Sequence, residues 1–463
     1  MKSPTPTTAL FLMAPAYGHL NPSFRVASQL RASGYRVVYA CDGQLELLRH
    51  IAKQGFAINP VQSYPFGVGI DETLNADRAE SYLETLLDRF TGQSRASRTA
   101  DLQRLLTELR PSLIFIDAFF STDFILLYPM LQRQPAQVVV LQTMLPTYDD
   151  DGQTPPLTSP LVRGQASQTA IRRAWNRYYR QRFWQRLWQS LKYLGQTNKR
   201  LVARAWQQNQ LPQQHGLRYD KTFQVGINNL PEWILAPQAL DWPNRPLQPF
   251  QRYAGSQIDT DRCEELAPVY QKFMARYADE KQQNPALKLI YASLGTVKTH
   301  LKAKPAIRFF ARLIAAVAAQ TNWRLVLAVG PELTDAVKAG SSAVLVQGFV
   351  PQMHLLRHCD GFVTHGGLNS VQEGLAAGVP MLLYPLNQRW NQPGNAARIA
   401  GRGCGLVGNL RRDQPADITR HLIRLLADPG FTAQAQRLGQ ELRESVPDIL
   451  PIFFDSGEPL PQR

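Results

Sequence analysis

Three groups of residues have types and spacings suited to chemistry at a charged phosphate ester. The run Thr364-His-Gly-Gly-Leu-Asn-Ser370 joins a short apolar stretch to a helix-forming one. Small residues let backbone N–H groups approach an anion, and a helix N-terminus favours negative charge. His365, Asn369 and Ser370 add side-chain donors, so together with Gly366 and Gly367 they suit a diphosphate. Glu373, near the start of the same helix, can accept from both hydroxyls of a ribose. Phe349, just ahead of Val350-Pro351-Gln352, offers a flat apolar face to a nucleobase. A lone Gly-Gly pair would mark only a tight strand-to-helix turn, with Glu373 offsetting the helix dipole. The order of several such groups between Gly348 and Ile399 favours ligand binding.

A second group suits proton transfer. His19 lies in Ala14-Pro-Ala-Tyr-Gly-His-Leu-Asn-Pro22, at the end of a first apolar strand, where an imidazole can reach an acceptor hydroxyl in a cleft. The structural alternative makes the same segment a helix entry, with Asn21 as N-cap and Pro22 at the first helical position. Both roles are compatible. Asp117 ends the strand Leu113-Ile-Phe-Ile-Asp117 and is the best candidate to orient the imidazole and stabilise its cation. Its alternative is an ordinary turn-starting Asp. Asp123 is a weaker second candidate, inside the following helix. The third group closes the strand Leu289-Ile-Tyr-Ala-Ser-Leu-Gly-Thr296, where Ser293, Gly295 and Thr296 either face a diphosphate from the opposite side or simply make a turn.

These residues need a scaffold, and the sequence supplies two. The first 145 residues alternate apolar strands (Leu10–Ala14, Arg36–Cys41, Phe56–Pro60, Leu113–Asp117, Gln137–Gln142) with helices at Asn21–Ala32, Gln44–Lys53, Glu80–Leu109 and Thr122–Arg133. A second alternation runs from Leu287 to about Arg443, with strands near Lys288–Ala292, Trp323–Val329, Ala343–Val346, Gly361–Thr364, Pro380–Tyr384 and Gly405–Val407. Such patterns read as α/β, with parallel sheets covered on both faces. Two doubly wound units in tandem enclose a cleft beyond their strand C-termini. The expected division is 1–235, a Pro-rich linker at 236–255, a second unit at 256–445, and a tail at 446–463 that returns to the first unit.

Composition narrows the classes further. The 463 residues contain four scattered cysteines and no Cys/His cluster, so a disulfide framework or zinc site is not indicated and a cytoplasmic home is expected. No apolar run reaches the length of a membrane span, and Thr8–Ala14 reads as a buried strand rather than a signal segment. No GxGxxG follows the first strand, which disfavours a dinucleotide oxidoreductase. No Asp-x-Asp motif occupies a suitable loop, so no metal is expected. Of the net charge of +15, residues 152–219 supply +12, with twelve Lys and Arg and no Asp or Glu. One local basic surface is therefore expected, not general nucleic-acid binding. Within it, Ile171–Trp206 interleaves Arg with Trp, Tyr and Phe at near-helical spacing. That pattern fits a helix whose aromatic side packs on the first unit beneath a solvated Arg face. Contact with an anionic membrane through 171–206 and lining of an acceptor pocket are the other two readings.

The string from Gly348 to Ile399 closely resembles the sugar-nucleotide signature of family-1 glycosyltransferases, the group of plant and bacterial UDP-glycosyltransferases; the rest of the chain resembles them more loosely. The resemblance implies the two-domain GT-B architecture, with Phe349 stacked on uracil and Gln352 at the base. It puts His365, Asn369 and Ser370 on the diphosphate and Glu373 on the ribose. It also implies His19 as catalytic base, supported by Asp117, in a metal-independent displacement with inversion. No cofactor is needed beyond the co-substrate, with UDP-glucose the first expectation and a deoxythymidine diphosphate sugar the alternative. The acceptor implied is small and lipophilic, such as a polyphenol, carotenoid or macrolide, met by N-terminal loops such as Gln62–Asn75. The family's acid-Gln pair, which contacts sugar hydroxyls, is here Asn391-Gln392, preceded by an insertion-like Asn387-Gln-Arg-Trp390. An amide is a weaker acceptor than a carboxylate, so sugar selection departs from the pattern. A nucleotide-sugar epimerase and a non-catalytic sugar-nucleotide sensor remain alternatives.

Overall fold

The two alternating stretches fold into two separate parallel sheets. The computed structural model describes residues 7–41, 45–61, 63, 81–146, 152–218, 225–260, 262, 264–295 and 303–445. The first sheet is built from β1 (Thr8–Leu12), β2 (Arg36–Ala40), β3 (Ala57–Ile58), β4 (Leu113–Asp117) and β5 (Gln137–Gln142). A short antiparallel pair, β6 (Leu217–Arg218) and β7 (Gly226–Ile227), precedes its last two strands, β8 (Glu232–Ile234) and β9 (Gln251–Tyr253). Its order is β3-β2-β1-β4-β5-β8-β9. The helices of this half are α1 (Tyr17–Ala32), α2 (Leu45–Lys53), α3 (Tyr82–Thr91), α4 (Gln93–Leu109), α5 (Asp123–Leu131), α6 (Gln168–Lys192) and α7 (Asn198–Gln208).

After α8 (Pro268–Gln283) the second sheet takes β10 (Lys288–Ser293), β11 (Trp323–Ala328), β12 (Val344–Gln347), β13 (Gly361–Thr364), β14 (Met381–Leu383) and β15 (Gly405–Val407), in the order β12-β11-β10-β13-β14-β15. Its helices are α9 (Ala303–Ala318), α10 (Gln352–Leu356), α11 (Leu368–Ala376), α12 (Gln392–Gly401), α13 (Pro415–Ala427) and α14 (Pro429–Glu444). The central strands are buried on both faces, as continuous apolar runs such as Leu113–Ile116 require.

Each sheet reverses its winding between two neighbouring strands, β1 and β4 in the first and β10 and β13 in the second. Doubly wound sheets bind ligands in the crevice at that reversal. His19, Asp117, the Ser293–Gly295 loop and the His365–Ser370 turn lie at or just beyond the C-terminal ends of those four strands, while Phe349–Gln352 follow β12.

Several expectations need revision. The single helix expected over Glu80–Leu109 is two, broken at Gly92, whose φ of 72° serves as the left-handed cap of α3. The stretch 236–255 is not merely a connector, because Gln251–Tyr253 adds an edge strand to the first sheet. In α6, only Ile171, Trp175 and Tyr178 are buried, in a small cluster of their own; the aromatic residues of its C-terminal half face solvent. The tail at 446–463, Thr296, and all of the loop 62–75 except Ser63 lie outside the described residues. Among the described residues no helix is long and apolar enough to cross a membrane.

Candidate active site

Leaving β1, the chain enters α1 at Tyr17, four residues before the expected N-cap, so His19 sits in the first helical turn. Asn21 does not cap; its Oδ1 meets His50 Nε2 at 2.7 Å. Pro22 lies inside the helix. A proline there removes the N–H that would bond the carbonyl four residues back, that of Gly18. The Gly18 oxygen instead accepts from Asn369 Nδ2 at 3.1 Å, across the cleft from the other domain.

His19 Nδ1 is 2.8 Å from Asp117 Oδ2 and 3.2 Å from Thr143 Oγ1, while Phe119 lies against the ring with centroids 4.5 Å apart. The Asp117 carboxylate is fully buried and is fixed from behind by the Phe119 N–H at 2.8 Å. An ionised carboxylate only accepts, so Nδ1 carries the proton in that pair and Nε2 presents the lone pair. Asp123, the second candidate, is taken up elsewhere: it is fully buried and paired with the guanidinium of Arg98.

Across the cleft, β10 and β13 end side by side. The His365 ring lies between Gly295 and Gly367; a Cβ would fall 2.6 Å from His365 Cε1 at the first and 2.5 Å from Nε2 at the second. Gly295 and Gly366 also hold φ values of 82° and 83°, which a side chain would strain. The glycines thus let an imidazole pack between the two loops and leave Gly367 to open α11 without a side-chain cap. Ser293 Oγ accepts from Gly295 N at 3.2 Å, and the Gly366 carbonyl accepts from Asn395 Nδ2 at 2.9 Å. Ser370 is partly exposed on the first turn of α11.

The groups expected at nucleobase and ribose form one network. Phe349 is 55% exposed, and Val350 packs beside it on the core. The Gln352 side chain accepts from Tyr291 OH at 2.6 Å and donates to Glu373, so both ends of its amide are engaged within the protein. The other oxygen of Glu373 takes Arg262 Nη1 at 2.6 Å, and Arg262 Nε also donates to Glu264 at 2.9 Å. Burial works against the Arg262 charge, but Glu373 and then Glu264 outweigh it and hold the guanidinium above its ordinary value.

Where the family's sugar-contacting pair falls, Gln392 Oε1 accepts from the backbone of Leu386 and Asn387 at 2.8 and 3.1 Å, holding the 386–391 loop. Asn391 stands at the N-cap of α12 without a capping bond. In the same loop Trp390 reaches the first domain, its ring edge-on to Phe119 at 6.1 Å. His19, Phe119 and Trp390 therefore line one continuous wall between the two loops.

The domains are tied at further points. The Gly394 N–H, in the first turn of α12, donates to the Leu157 carbonyl at 2.9 Å. Arg398 of the same helix pairs with buried Asp241 at 2.7 Å, which also takes Arg245 at 3.2 Å. Two doubly wound sheets thus face each other, with an imidazole–carboxylate pair on one side and a glycine-opened helix N-terminus on the other. The model of the family described as Erythromycin biosynthesis protein CIII-like, C-terminal domain, matches residues 312–448. The oleandomycin glycosyltransferase of Streptomyces antibioticus is 27% identical over 94% of this chain and 87% of its own length. The chain is similar to the family-1 glycosyltransferases.

Other relatives of this chain are matched over about half their length. An uncharacterized UDP-glucosyltransferase of Bacillus subtilis is 30% identical over 49% of the chain and 55% of that protein. The zeaxanthin glucosyltransferase of Pseudescherichia vulneris is 28% identical over 50% and 51%. The crystal structure of the kitacinnamycin glycotransferase shares the fold, with a TM-score of 0.66 at 20% identity, covering 98% of this chain and 99% of that one. The structural neighbours fix the architecture of the chain as GT-B.

The sequence reading missed Arg262, Thr143 and the Phe119–Trp390 contact. Arg262 lies between two stretches without a motif, and only its neighbour Glu264 hinted at an ion pair. Thr143 directly follows β5, the strand beside β4, so a hydroxyl at a central strand end was the available signal. Trp390 was seen as part of an insertion-like segment, but nothing local says that the segment crosses a cleft.

Proposed function

We propose that this protein transfers a hexose from a nucleoside diphosphate sugar to a hydroxyl of a small lipophilic acceptor, with inversion at the anomeric carbon. The observation that carries the reading is the position of His19. Its Nδ1 is held by Asp117, and its loop is hydrogen-bonded through Gly18 to Asn369 on the helix turn that suits the diphosphate. With Nδ1 so engaged, Nε2 takes the acceptor proton. The hydroxyl oxygen attacks the anomeric carbon, the bond to the diphosphate oxygen breaks, and the departing negative charge meets the α11 N-terminus, His365 and the Ser293–Gly295 loop. These fixed donors supply countercharge without a metal, so turnover is expected to survive chelation.

Glu373 supports a ribonucleotide, because a deoxyribose would leave one of its acceptor sites unfilled. UDP-glucose is therefore the first donor to try. Asn391 in place of an acid, and the two backbone bonds already accepted by Gln392 Oε1, leave fewer acceptors for sugar hydroxyls than the family's pair. A deoxythymidine diphosphate deoxysugar belongs in the same assay. The names of the relatives, which act on oleandomycin and zeaxanthin, support a bulky natural product as acceptor.

The test incubates purified protein with UDP-glucose, other UDP-sugars and deoxythymidine diphosphate sugars against polyphenols, carotenoids and macrolides. Products are read by mass spectrometry and anomeric configuration by NMR. An inverted glycoside formed with one donor supports the reading. Conversion of donor without any acceptor identifies an epimerase, and tight donor binding with no product a sensor.

A further inference from the structure

We infer that the C-terminal half of α6, together with α3, is a docking surface for an anionic membrane. The largest cluster of exposed apolar side chains among the described residues lies here. On α6, Trp184, Leu187, Trp188 and Leu191 are 60%, 39%, 63% and 67% exposed; on α3, Leu83 and Leu87 are 66% and 62% exposed. The two helices form one surface, since Tyr82 of α3 stacks on Tyr193 at the end of α6, with centroids 6.3 Å apart, and donates to the Lys192 carbonyl. Isolated apolar residues at a surface need no explanation, but a contiguous group of this size marks an interaction site.

Core packing does not account for it. The packed side of α6 is the opposite one, where Ile171, Trp175 and Tyr178 are buried. Along the outer side, residues 173, 177, 180, 184, 188 and 191 recur at three or four positions and so share a face. That face reads Arg, Arg, Arg, Trp, Trp, Leu. Basic side chains beside indoles and leucines suit a lipid interface: the guanidinium groups lie at the headgroups while the rings enter the acyl boundary. Residues 152–219 contain twelve Lys and Arg and no Asp or Glu. α3 adds two acids, Glu84 accepting from the Ser81 N–H and Asp88 from the Ser94 N–H of α4, too few to offset the cationic segment. Charge complementarity therefore selects an anionic bilayer, not a neutral one.

The inference needs neither donor nor turnover, so it stands or falls separately from the proposed function. The test is co-sedimentation of the full chain with vesicles of phosphatidylglycerol and phosphatidylcholine, against phosphatidylcholine alone, at low and high salt. Binding is expected to the anionic vesicles only, weakened by salt, with a blue shift of tryptophan emission. The double variant Trp184→Glu, Trp188→Glu should lose at least about tenfold in vesicle affinity while keeping the parent's affinity for UDP, which checks its fold. The triple variant Arg173→Glu, Arg177→Glu, Arg180→Glu should lose the preference for anionic lipid. The inference is overturned if anionic vesicles fail to bind at low salt, or if neutral vesicles bind equally. It also fails if the tryptophan variant binds like the parent, or if light scattering shows a parent dimer that this variant makes monomeric, which would make a second copy the occupant.

Discussion

In the proposed reaction, His19 concentrates the proton chemistry on one nitrogen. Asp117 and Thr143 both face Nδ1, and Phe119 supports the ring. Replacing His19 with Ala should lower kcat by at least about a hundredfold, the usual scale for a general base. Affinity for UDP, measured by calorimetry, should hardly change, because the residues proposed to contact the nucleotide lie in the other domain. Arg262 makes a second prediction at this scale. Its guanidinium occupies the Glu373 oxygen that a ribose hydroxyl would need. Arg262→Ala should therefore tighten UDP binding severalfold in the same calorimetric titration; weaker binding would show that Arg262 contacts the nucleotide directly. Of the two partners of His19, Asp117 was readable from its strand end, while Thr143 was not singled out. Arg262 was not, because an ion pair made over a separation of 111 residues leaves no local pattern.

At the scale of elements, one helix start deserves the weight the sequence placed on it. α11 opens at Gly367 because a side chain there would strike His365. Gly367→Ala should displace the imidazole and cost UDP affinity at least about tenfold, roughly one strong hydrogen bond to a charged group. Thermal melting should shift little by comparison. The strands expected in both sheets were placed to within a residue or two, since fully buried parallel strands are short continuous apolar runs, whereas the three-residue β8 and β9 were not expected. Helix ends were harder. Pro22 looked like a start yet lies within α1, and Gly92 divides a stretch whose apolar period continues on both sides. The outer face of α6 was misread for a related reason: amphipathic spacing tells that a helix has two sides but not which of them meets the core.

For the whole molecule, the tie between the linker and α12 matters most. Asp241 is completely buried between Arg398 and Arg245. Burial pushes its pKa up, but Arg398 and then Arg245 outweigh that and bring it from the ordinary 3.8 to about 2. A carboxyl with a depressed folded-state pKa stabilises above its unfolded value and loses that contribution as pH falls. About 2 kcal/mol should therefore disappear between pH 4 and pH 2, visible as a falling Tm in that window. Asp241→Asn at neutral pH leaves two buried guanidiniums short of a counter-charge and should cost about 3–5 kcal/mol in chemical denaturation.

Pro22 adds something that no ion pair supplies. An ordinary residue at its position would bring an amide hydrogen of its own, and the helix would satisfy itself. By withholding that hydrogen, the ring leaves the Gly18 oxygen open to a donor from the facing half of the protein. Alanine in its place would bring a competing donor to the same oxygen and so loosen one of the ties that hold the two halves face to face.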